Sequence, residues 1–436
     1  MHACMVALNH SKRRRVAIIG SGPAGTTLAC LLARNGIDAV IFEDEKRPEM
    51  VVGESLVPKL VPVFRRLGIE DKVKTIGTHK PGVTWTLNEG DSLQLSFTAL
   101  QGVLPTYAYN VSRREFDQIV NDAAVESGAR FVKCSAKLEA VEGKNGEGLV
   151  PRLSAETLAL VPDWNGEHPE LLVDASGRRR IFAKLLGIKA AVGQRKDVSH
   201  FAHYDHCEFS NPVGQTMIYR LKHGWGWRIP LVNKMSIGVV INKEHLHQYG
   251  ANAEEQLEAI IDQNPVLAKV SSQRKRLTNV TTYANYQLIS DQGHGTGWVS
   301  VGDAFGFVDP MLSPGLTMAM TSAEKLADVI LNNTSADAQQ REFSKYIGWF
   351  RKQLTDWQTL IDYFYDGRIF ALYKTGDMLS KRYPGKFSNF MEKHMYRVIA
   401  CMAGGGRTSH PYNCNVLKLM TRFGIKDHLP SDYAVK

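Results

Sequence analysis

The sequence predicts an α/β fold in which a Rossmann-like nucleotide-binding layer is interleaved with a second β-sheet and followed by C-terminal helices. An apolar run at Val16–Ile19 leads into the glycine turn Gly20–Gly25, a helical pattern and a second apolar run at Ile37–Phe42. Strand, glycine turn, helix and strand in this order form a βαβ unit. Aromatic and β-branched residues dominate 195–290, which is typical of another sheet. From Gln339 onward the period is helical.

The order of these patterns predicts discontinuous domains. The nucleotide-binding layer is expected from 12–80, 110–190 and 295–332, the second sheet from 81–109 and 191–294, and the helical region from 333–436. Because the layers alternate along one chain, a ligand is expected between them.

Composition excludes several classes of protein. The chain has 436 residues, of which 44% are hydrophobic and 22% charged, and these values rule out a disordered or fibrous chain. Fifty-three Lys and Arg against 44 Asp and Glu give a net charge of +9. The excess is diffuse apart from Lys12–Arg15 and Arg178–Arg180, and no aromatic residues are interleaved with it. This pattern favours anionic ligands or an acidic partner over nucleic acid.

Cysteine usage and the start of the chain predict a cytoplasmic protein. The six cysteines are scattered without a C-x-x-C pair, which is typical of a reducing compartment. The basic run at Lys12–Arg15 follows the mildly apolar start, the reverse of the order in a signal peptide. No stretch approaches the ~20 apolar residues of a membrane helix, so no membrane partner is expected.

The glycine turn has the spacing of a dinucleotide site. In Gly20-x-Gly22-x-x-Gly25, one glycine makes the turn, one lets backbone approach a pyrophosphate and one lets the helix pack on the strand. The helix N-terminus then faces the anion. Glu43, at the end of the next strand, is placed to accept hydrogen bonds from ribose hydroxyls. The ordinary alternative is a glycine turn followed by a solvated glutamate.

Two further strand-end turns favour FAD over a nicotinamide cofactor. Asp174–Gly177 and Gly302–Ala304 each follow a buried apolar run. In the second turn, Asp303 suits a hydrogen bond to a sugar-like chain, and the helix after it points its N-terminus toward a ring. A plain dehydrogenase needs neither turn.

These motifs together resemble the p-hydroxybenzoate-hydroxylase-type FAD fold. Gly53-Glu54-Ser55 and Val111-Ser112-Arg113 match it as well, and the resemblance runs from about residue 14 to 370. It implies that Arg113 lies along the FAD and that Asp303 binds the ribityl or pyrophosphate region. It also adds Ser55 and Gly315 to the expected cofactor-binding residues.

Within that group, three short matches resemble the flavin-dependent halogenases. Trp225–Pro230 fits W-x-W-x-I-P, and Phe307–Gly315 fits F-x-x-P-x-x-S-x-G. Lys80 follows the Gly53-Glu54-Ser55 segment where these enzymes have their catalytic lysine. The sequence is most similar to the enzymes that halogenate carrier-bound pyrroles, and more distantly to the tryptophan halogenases.

The resemblance implies a definite chemistry. Reduced FAD reacts with O2 to a C4a-hydroperoxide, halide attack gives hypohalous acid, and a tunnel carries this oxidant to a substrate pocket. Lys80 and Ser313 are the expected catalytic residues there, and Trp225, Trp227 and Pro310 the expected walls of pocket and tunnel. A lysine suits the task because burial lowers its pKa and the neutral amine is a nucleophile.

The same resemblance sets expectations for the partners of the reaction. The acceptor would be an electron-rich pyrrole, phenol or indole, either free or tethered to a carrier or partner protein. Electrons would come from NAD(P)H, directly or through a separate flavin reductase, since the chain has no second dinucleotide fingerprint.

Two positions depart from the halogenase pattern and leave alternatives open. In members with a mapped halide site, two backbone N–H groups near the Ser-x-Gly turn hold the ion, whereas Pro314 has no N–H. Leu312 replaces a glutamate of the tryptophan halogenases. An aromatic hydroxylase is therefore the second hypothesis, including one that hydroxylates a tryptophan of a partner protein during quinone-cofactor maturation. A geranylgeranyl-reductase-like enzyme and a non-catalytic flavin-binding module remain further alternatives.

Several candidate site residues also have an ordinary structural interpretation. Lys80 alone would usually be a solvated surface lysine. Trp225 and Trp227 alternate on one strand face and could be plain core, and Ser313 could cap the following helix. The aromatic run Tyr363–Tyr365 is expected in the core.

No metal site is expected. His200, His203 and His206 are spaced by three, but their context predicts a strand, which sends His203 to the side opposite the other two.

Overall fold

The computed structural model describes residues 14–44, 50–143, 148–284, 287–333, 335–425 and 428–435. One of the two large sheets has six strands, and the glycine turn follows one of its central strands. Neighbouring strands are parallel except for one antiparallel pair at an edge. In spatial order they are β19 (His294–Gly295), β20 (Trp298–Ser300), β10 (Leu171–Asp174), β1 (Arg15–Ile19), β2 (Asp38–Phe42) and β7 (Arg130–Val132).

Helices cover one face of this sheet. The first of them follows the glycine turn, and its buried side, including Leu28 and Leu32, belongs to the main apolar core. The helices of this layer are α1 (Pro23–Arg34), α2 (Leu60–Leu67), α3 (Glu70–Ile76), α4 (Arg113–Glu126) and α9 (Pro314–Asn332). The opposite face packs on a smaller apolar cluster that includes Trp164, Phe182 and Trp298. Near it lie α5 (Ala155–Ala159), α6 (Ile181–Leu185) and the hairpin of β8 (Leu138–Glu142) and β9 (Leu149–Leu153).

The second large sheet has eight strands and is antiparallel apart from one parallel pair, β13 with β4. In spatial order the strands are β16 (Lys275–Arg276), β12 (Asp197–Asp205), β15 (Lys234–Asn242), β14 (Gly224–Leu231), β13 (Thr216–Leu221), β4 (Gly82–Asn88) and β5 (Asp91–Ser96), with β17 (Thr281–Ala284) also paired to β12. Helices α7 (Ala253–Gln263) and α8 (Pro265–Val270) pack their leucines and isoleucines on one face.

Two small sheets connect the large ones. Strand β3 (Gly77–Lys80) pairs antiparallel with β6 (Ala108–Val111), so that Lys80 faces Ala108 in the register. The other small sheet contains β11 (Ala190–Val192), β18 (Leu288–Ser290) and β21 (Gly306–Phe307).

The C-terminal part is helical and shares the main apolar core. Its helices are α10 (Ala336–Tyr365), α11 (Arg368–Arg382), α12 (Lys386–Ala403) and α13 (Pro411–Phe423). Phe350, Trp357 and Ile399 belong to the same cluster as Ile18 of the first sheet. Among the described residues, none of the helices combines the length and apolar character needed to cross a bilayer.

The predicted α/β fold with C-terminal helices is confirmed, but several elements differ in detail. The sequence pattern over 57–67 predicts a helix, and this helix begins at Leu60. The alternation from Val83 to Val103 predicts strands, and these stop at Ser96, where a short 3-10 helix follows. Within 195–290 the sheet is accompanied by two helices, α7 and α8, in a region where only strands were expected.

Candidate active site

A cavity of about 270 Å³ lies between the two large sheets. The turn after β1 contributes Gly22 to its wall, the start of α1 contributes Pro23 and Ala24, and the loop after β20 contributes Asp303. The second sheet contributes mainly apolar side chains, and the loop before α9 closes the cavity. The further lining residues used below are Glu54, Ser55, Arg113, Thr216, Trp225, Trp227, Pro310, Ser313 and Gly315.

The glycine turn fits a bound pyrophosphate. At Gly20, with φ +114°, a Cβ would lie 2.5 Å from the Ala175 carbonyl oxygen, so this turn packs directly on the turn after β10. At Gly25 a Cβ would lie 2.0 Å from the Gly20 carbonyl oxygen. Gly22 has no atom within 4 Å of its Cβ position and lines the cavity, leaving backbone open to a ligand at the N-terminus of α1. These positions suit FAD.

Two charged residues stand along the same cavity. The Arg113 guanidinium pairs with Asp117 at 3.0 Å and donates to the Val52 carbonyl, which fixes it against the wall. Asp303 receives no hydrogen bond from any residue in the described parts of the chain, and burial raises its pKa to about 6. An acid on the cavity wall that has no donor among the described residues suits a sugar hydroxyl of the cofactor. Glu43 directly follows β2, outside the lining of this cavity.

Lys80 lies in a second, smaller cavity of about 30 Å³. The alternative of a solvated surface lysine is wrong, because the side chain is 1% exposed. Its Nζ donates to Ser55 Oγ and to the Leu56 carbonyl oxygen, both at 2.7 Å, and lies 5.4 Å from the centre of the Phe97 ring. Burial lowers the pKa of Lys80 to about 7.

The two cavities share walls. Ser55, Thr216 and Ser313 each line both of them, together with Ile218 and Met311, so the wall between Lys80 and the larger cavity consists of hydroxyl-bearing and apolar side chains. A chain of hydroxyls runs from Lys80 through Ser55 to Thr216, at 2.7 and 3.0 Å, and Thr216 Oγ1 donates to Asn110 Oδ1 at 3.1 Å. Sequence reasoning assigned Ser55 to the cofactor; its hydroxyl contacts Lys80 and Thr216.

The paired tryptophans form part of the cavity wall. Trp225 and Trp227 both belong to β14, with ring centres 5.7 Å apart, and both line the larger cavity. Trp225 Nε1 donates to Tyr365 Oη at 2.8 Å, and Tyr365 Oη lies 3.1 Å from both carboxylate oxygens of Asp309. The expected burial of Tyr365 is confirmed, but its link between two motifs was not foreseen.

Ser313 and Pro314 mark the start of α9. Ser313 has φ +56° and occupies the N-cap position, but its side chain accepts no cap hydrogen bond within this described segment, so the capping role suggested by the sequence is wrong. Pro314 is the first helical residue and Gly315 the second. The helix N-terminus therefore offers the cavity the N–H of Gly315 but none at residue 314.

A buried histidine–glutamate pair was missed by the sequence analysis. His203 Nε2 lies 2.6 Å from Glu54 Oε1, and both side chains are buried. The predicted strand is confirmed as β12, and His200 on its other side contacts Thr282 and Gln256. The only sequence signal for the pair was the Gly53-Glu54-Ser55 motif. No cluster of metal-ligating side chains occurs within the described ranges.

Fold and site together define a flavin-dependent oxidoreductase that uses FAD. Comparison with known proteins gives the family: the tryptophan halogenase model matches residues 15–104 and 101–368. The chain therefore belongs to the tryptophan halogenase family of flavin-dependent halogenases.

Individual relatives agree with this assignment. The 1H-pyrrole-2-carbonyl-[peptidyl-carrier protein] chlorinase of Pseudomonas fluorescens is 27% identical over 378 residues, covering 80% of this chain and 83% of that protein. The tryptophan 2-halogenase of Chondromyces crocatus is 26% identical over 405 residues, covering 90% and 75% of the two chains. The solved structure of the flavin-dependent brominase Bmp2 matches with a TM-score of 0.74 at 23% identity, covering 94% of this chain and 98% of that one, and supports the fold.

Proposed function

We propose that this enzyme halogenates an electron-rich aromatic acceptor at Lys80, using an oxidant made in the FAD cavity. The observation that carries the proposal is the position of Lys80: buried, without a carboxylate beside it in the described structure, and one wall away from the cofactor cavity. A lysine at such a position is costly for folding, so a chemical role accounts for it better than packing does.

Bound reduced FAD would supply, from O2 and halide, hypohalous acid. The Lys80 side chain then transfers the halogen to the acceptor. With a pKa of about 7, Lys80 is partly neutral at neutral pH. Its amine attacks the halogen, an N–halogen bond forms, and the hydroxyl leaves as water after taking the amine proton. The aromatic ring then takes the halogen, loses a proton and regenerates the amine.

The walls between the two cavities support a separation of oxidant formation, beside FAD, from halogen transfer, at Lys80. Trp225 and Trp227 place two indole rings on the cofactor side, where they keep an aromatic acceptor away from the flavin. On the Lys80 side, Trp85 lines the small cavity, and its indole N–H has no partner among the described residues. We infer that this N–H is available to an acceptor's carbonyl oxygen.

The test compares Lys80→Met with Lys74→Met, an exposed lysine on α3. Photoreduced FAD, O2 and bromide are supplied with pyrrole-2-carbonyl thioester, phenol and indole acceptors. Lys80→Met is expected to lose brominated product by about 100-fold or more, while flavin oxidation continues, and the control to keep full activity. Brominated product at the wild-type rate from Lys80→Met would overturn the role of Lys80.

Aromatic hydroxylation is the second candidate, and Pro314 is the observation that favours it. A halide held by backbone N–H groups at the start of α9 loses a donor there. Hydroxylation predicts product without halide, heavier by one oxygen atom from 18O2. In the same assay, that result with the wild-type enzyme would replace the first proposal.

The electron donor follows from the sequence. Because the chain has one dinucleotide fingerprint, we propose that reduced flavin is delivered by a separate reductase. Rapid oxidation of NAD(P)H by the isolated enzyme would contradict this. Since two similar proteins act on carrier-bound pyrroles, an acceptor tethered to a carrier protein is the finer form of the proposal.

A further inference from the structure

Contrary to the expectation of a diffuse excess, most of the net positive charge of the chain lies in the C-terminal helices. Residues 381–425 contain eight Lys and Arg against one acid, Glu392, which leaves 8 − 1 = +7 of the total of +9. The match to the family model ends at residue 368, before this segment. The chemistry shared by the family therefore does not account for the charge.

The charge is arranged on one side of α12. Lys386, Phe390, Lys393 and Arg397 follow one another at intervals of four, three and four residues, which places them on a single helix face. All four are exposed, and Phe390 is 62% exposed. No ion pair joins Lys386, Lys393 or Arg397 to another of the described residues.

Helix α13 extends this face with apolar side chains. Tyr412, Leu419 and Phe423 are each more than half exposed and lie on one side of α13, with Lys418 and Arg422 beside them. The two helices meet at His394, whose Nε2 lies 2.9 Å from Tyr412 Oη. The Phe390 ring stacks on His394 at 6.0 Å. We call this surface, formed by residues 386–397 of α12 and 411–423 of α13, the basic aromatic face.

The basic aromatic face borders the wall of the Lys80 cavity. Ala400 lies three residues after Arg397, about 4.5 Å further along the same side of α12, and lines that cavity. Arg397 donates to the Gln101 carbonyl oxygen. Gln101 ends the short helix Phe97–Leu100, and Phe97 is the ring beneath Lys80 Nζ. A partner on this face would therefore sit beside the cavity that contains Lys80.

We propose that the basic aromatic face is the docking surface for an acidic carrier protein that presents the aromatic acceptor on a tether. This inference rests on the proposed function. Exposed aromatic side chains grouped together on one surface mark protein contacts, and aromatic and Arg residues dominate binding energies there. The cations around these aromatic side chains favour an acidic partner and speed its encounter.

The experiment measures turnover and binding with one probe, a pyrrole-2-carbonyl group loaded on an acidic acyl carrier protein. Lys393→Glu/Lys418→Glu reverses two charges on the face, and Phe390→Ala/Phe423→Ala removes its rings. The matched control, Lys133→Glu/Lys269→Glu, reverses two exposed charges elsewhere. Each enzyme also receives the pyrrole-2-carbonyl thioester of a short thiol, which has no protein to dock.

Both face variants are expected to lose about tenfold or more in kcat/KM for the loaded carrier and less than about twofold for the short thioester. Fluorescence anisotropy of labelled carrier should show the same loss of binding, and in the wild type a binding that weakens with salt. The control should match the wild type in every measurement.

Different results separate the two proposals. If no acceptor is halogenated by the wild type, the proposed function fails, while salt-dependent carrier binding lost in the face variants would still support the docking surface. Equal use of the loaded carrier by wild type and face variants overturns the docking surface. Binding of anionic phospholipid vesicles or RNA through this face, with no binding of the carrier, overturns it as well.

Discussion

At the scale of single residues, the environment of Lys80 explains how an amine can be both buried and reactive. Two acceptors, Ser55 Oγ and the Leu56 carbonyl oxygen, stabilise its ammonium form, and burial opposes that form. Burial lowers the pKa of Lys80 to about 7. Leu312, where the resemblance to the tryptophan halogenases implies a glutamate, lines the same small cavity. A carboxylate there would hold the amine protonated.

Replacing Ser55 with alanine should move the pH dependence of halogenation. Removing an acceptor from the ammonium lowers the pKa of Lys80, so the rise of activity with pH, centred near 7, shifts to lower pH by up to about one unit. The measurement is the pH profile of single-turnover bromination with photoreduced FAD. Thr216→Val, which removes the next hydroxyl in the chain, is the control and should shift the profile less. An unmoved profile in Ser55→Ala would show that this hydroxyl does not control Lys80.

Pro314 gives the second prediction at this scale. Pro314→Ala restores a backbone N–H at the start of α9, so the KM for bromide should fall by about 5- to 30-fold, equivalent to about 1–2 kcal/mol. Steady-state bromination at varied bromide measures it, with the dissociation constant of FAD as the control, because Pro314 is not among the cofactor-lining residues. An unchanged KM would mean that halide does not bind at this helix end.

At the scale of elements, α10 links the two halogenase motifs. Tyr365, at the end of this helix, accepts from Trp225 on β14 and contacts Asp309 in the loop before α9. The Arg195 guanidinium lies over the tyrosine ring at 3.5 Å, which completes a buried polar network around Asp309. Burial raises the pKa of Asp309 to about 6. The Tyr365 hydroxyl thus connects Trp225 in the cavity wall to the C-terminal helices.

Tyr365→Phe should therefore destabilise the protein by about 1–3 kcal/mol, because Trp225 loses its acceptor and Asp309 a donor in a buried place. Chemical denaturation measures the free energy of unfolding. Tyr363→Phe is the control, since Arg368 stacks on that ring and the ring remains. Equal stability of the two variants would show that the network contributes nothing measurable.

The elements also show what the sequence could predict. The βαβ unit follows from local periodicity and was predicted within a few residues, whereas the second sheet was predicted only as the region 195–290. The His203–Glu54 contact and the Tyr365 link depend on how distant strands and helices meet, which periodicity does not encode. The Gly404–Gly406 run had no interpretation from sequence. Here a Cβ at Gly404 would lie 2.5 Å from Leu100 Cδ2, and Gly405 has φ +82°. The run lets the end of α12 pack beside the Lys80 cavity.

At the scale of the whole molecule, the predicted segments do not have separate apolar cores. The largest apolar cluster contains Ile18 of the first sheet, Trp227 of the second and Ile399 of the C-terminal helices. A chain that shares one core between layers is expected to unfold cooperatively. The cofactor cavity lies between those layers, so a bound cofactor contacts both at once.

Oxidised FAD should therefore raise the stability of the whole chain. At about 100 times its dissociation constant it should add about 2.7 kcal/mol to the free energy of unfolding, and circular dichroism and tryptophan fluorescence should report the same shifted transition. Gly22→Asp is the control: the added side chain has space in the protein, but its carboxylate would repel a pyrophosphate at the start of α1. It should unfold like the wild type without FAD and lose the shift. Two transitions, only one of them sensitive to FAD, would contradict a shared core, because the ligand would then stabilise a layer that folds without the other.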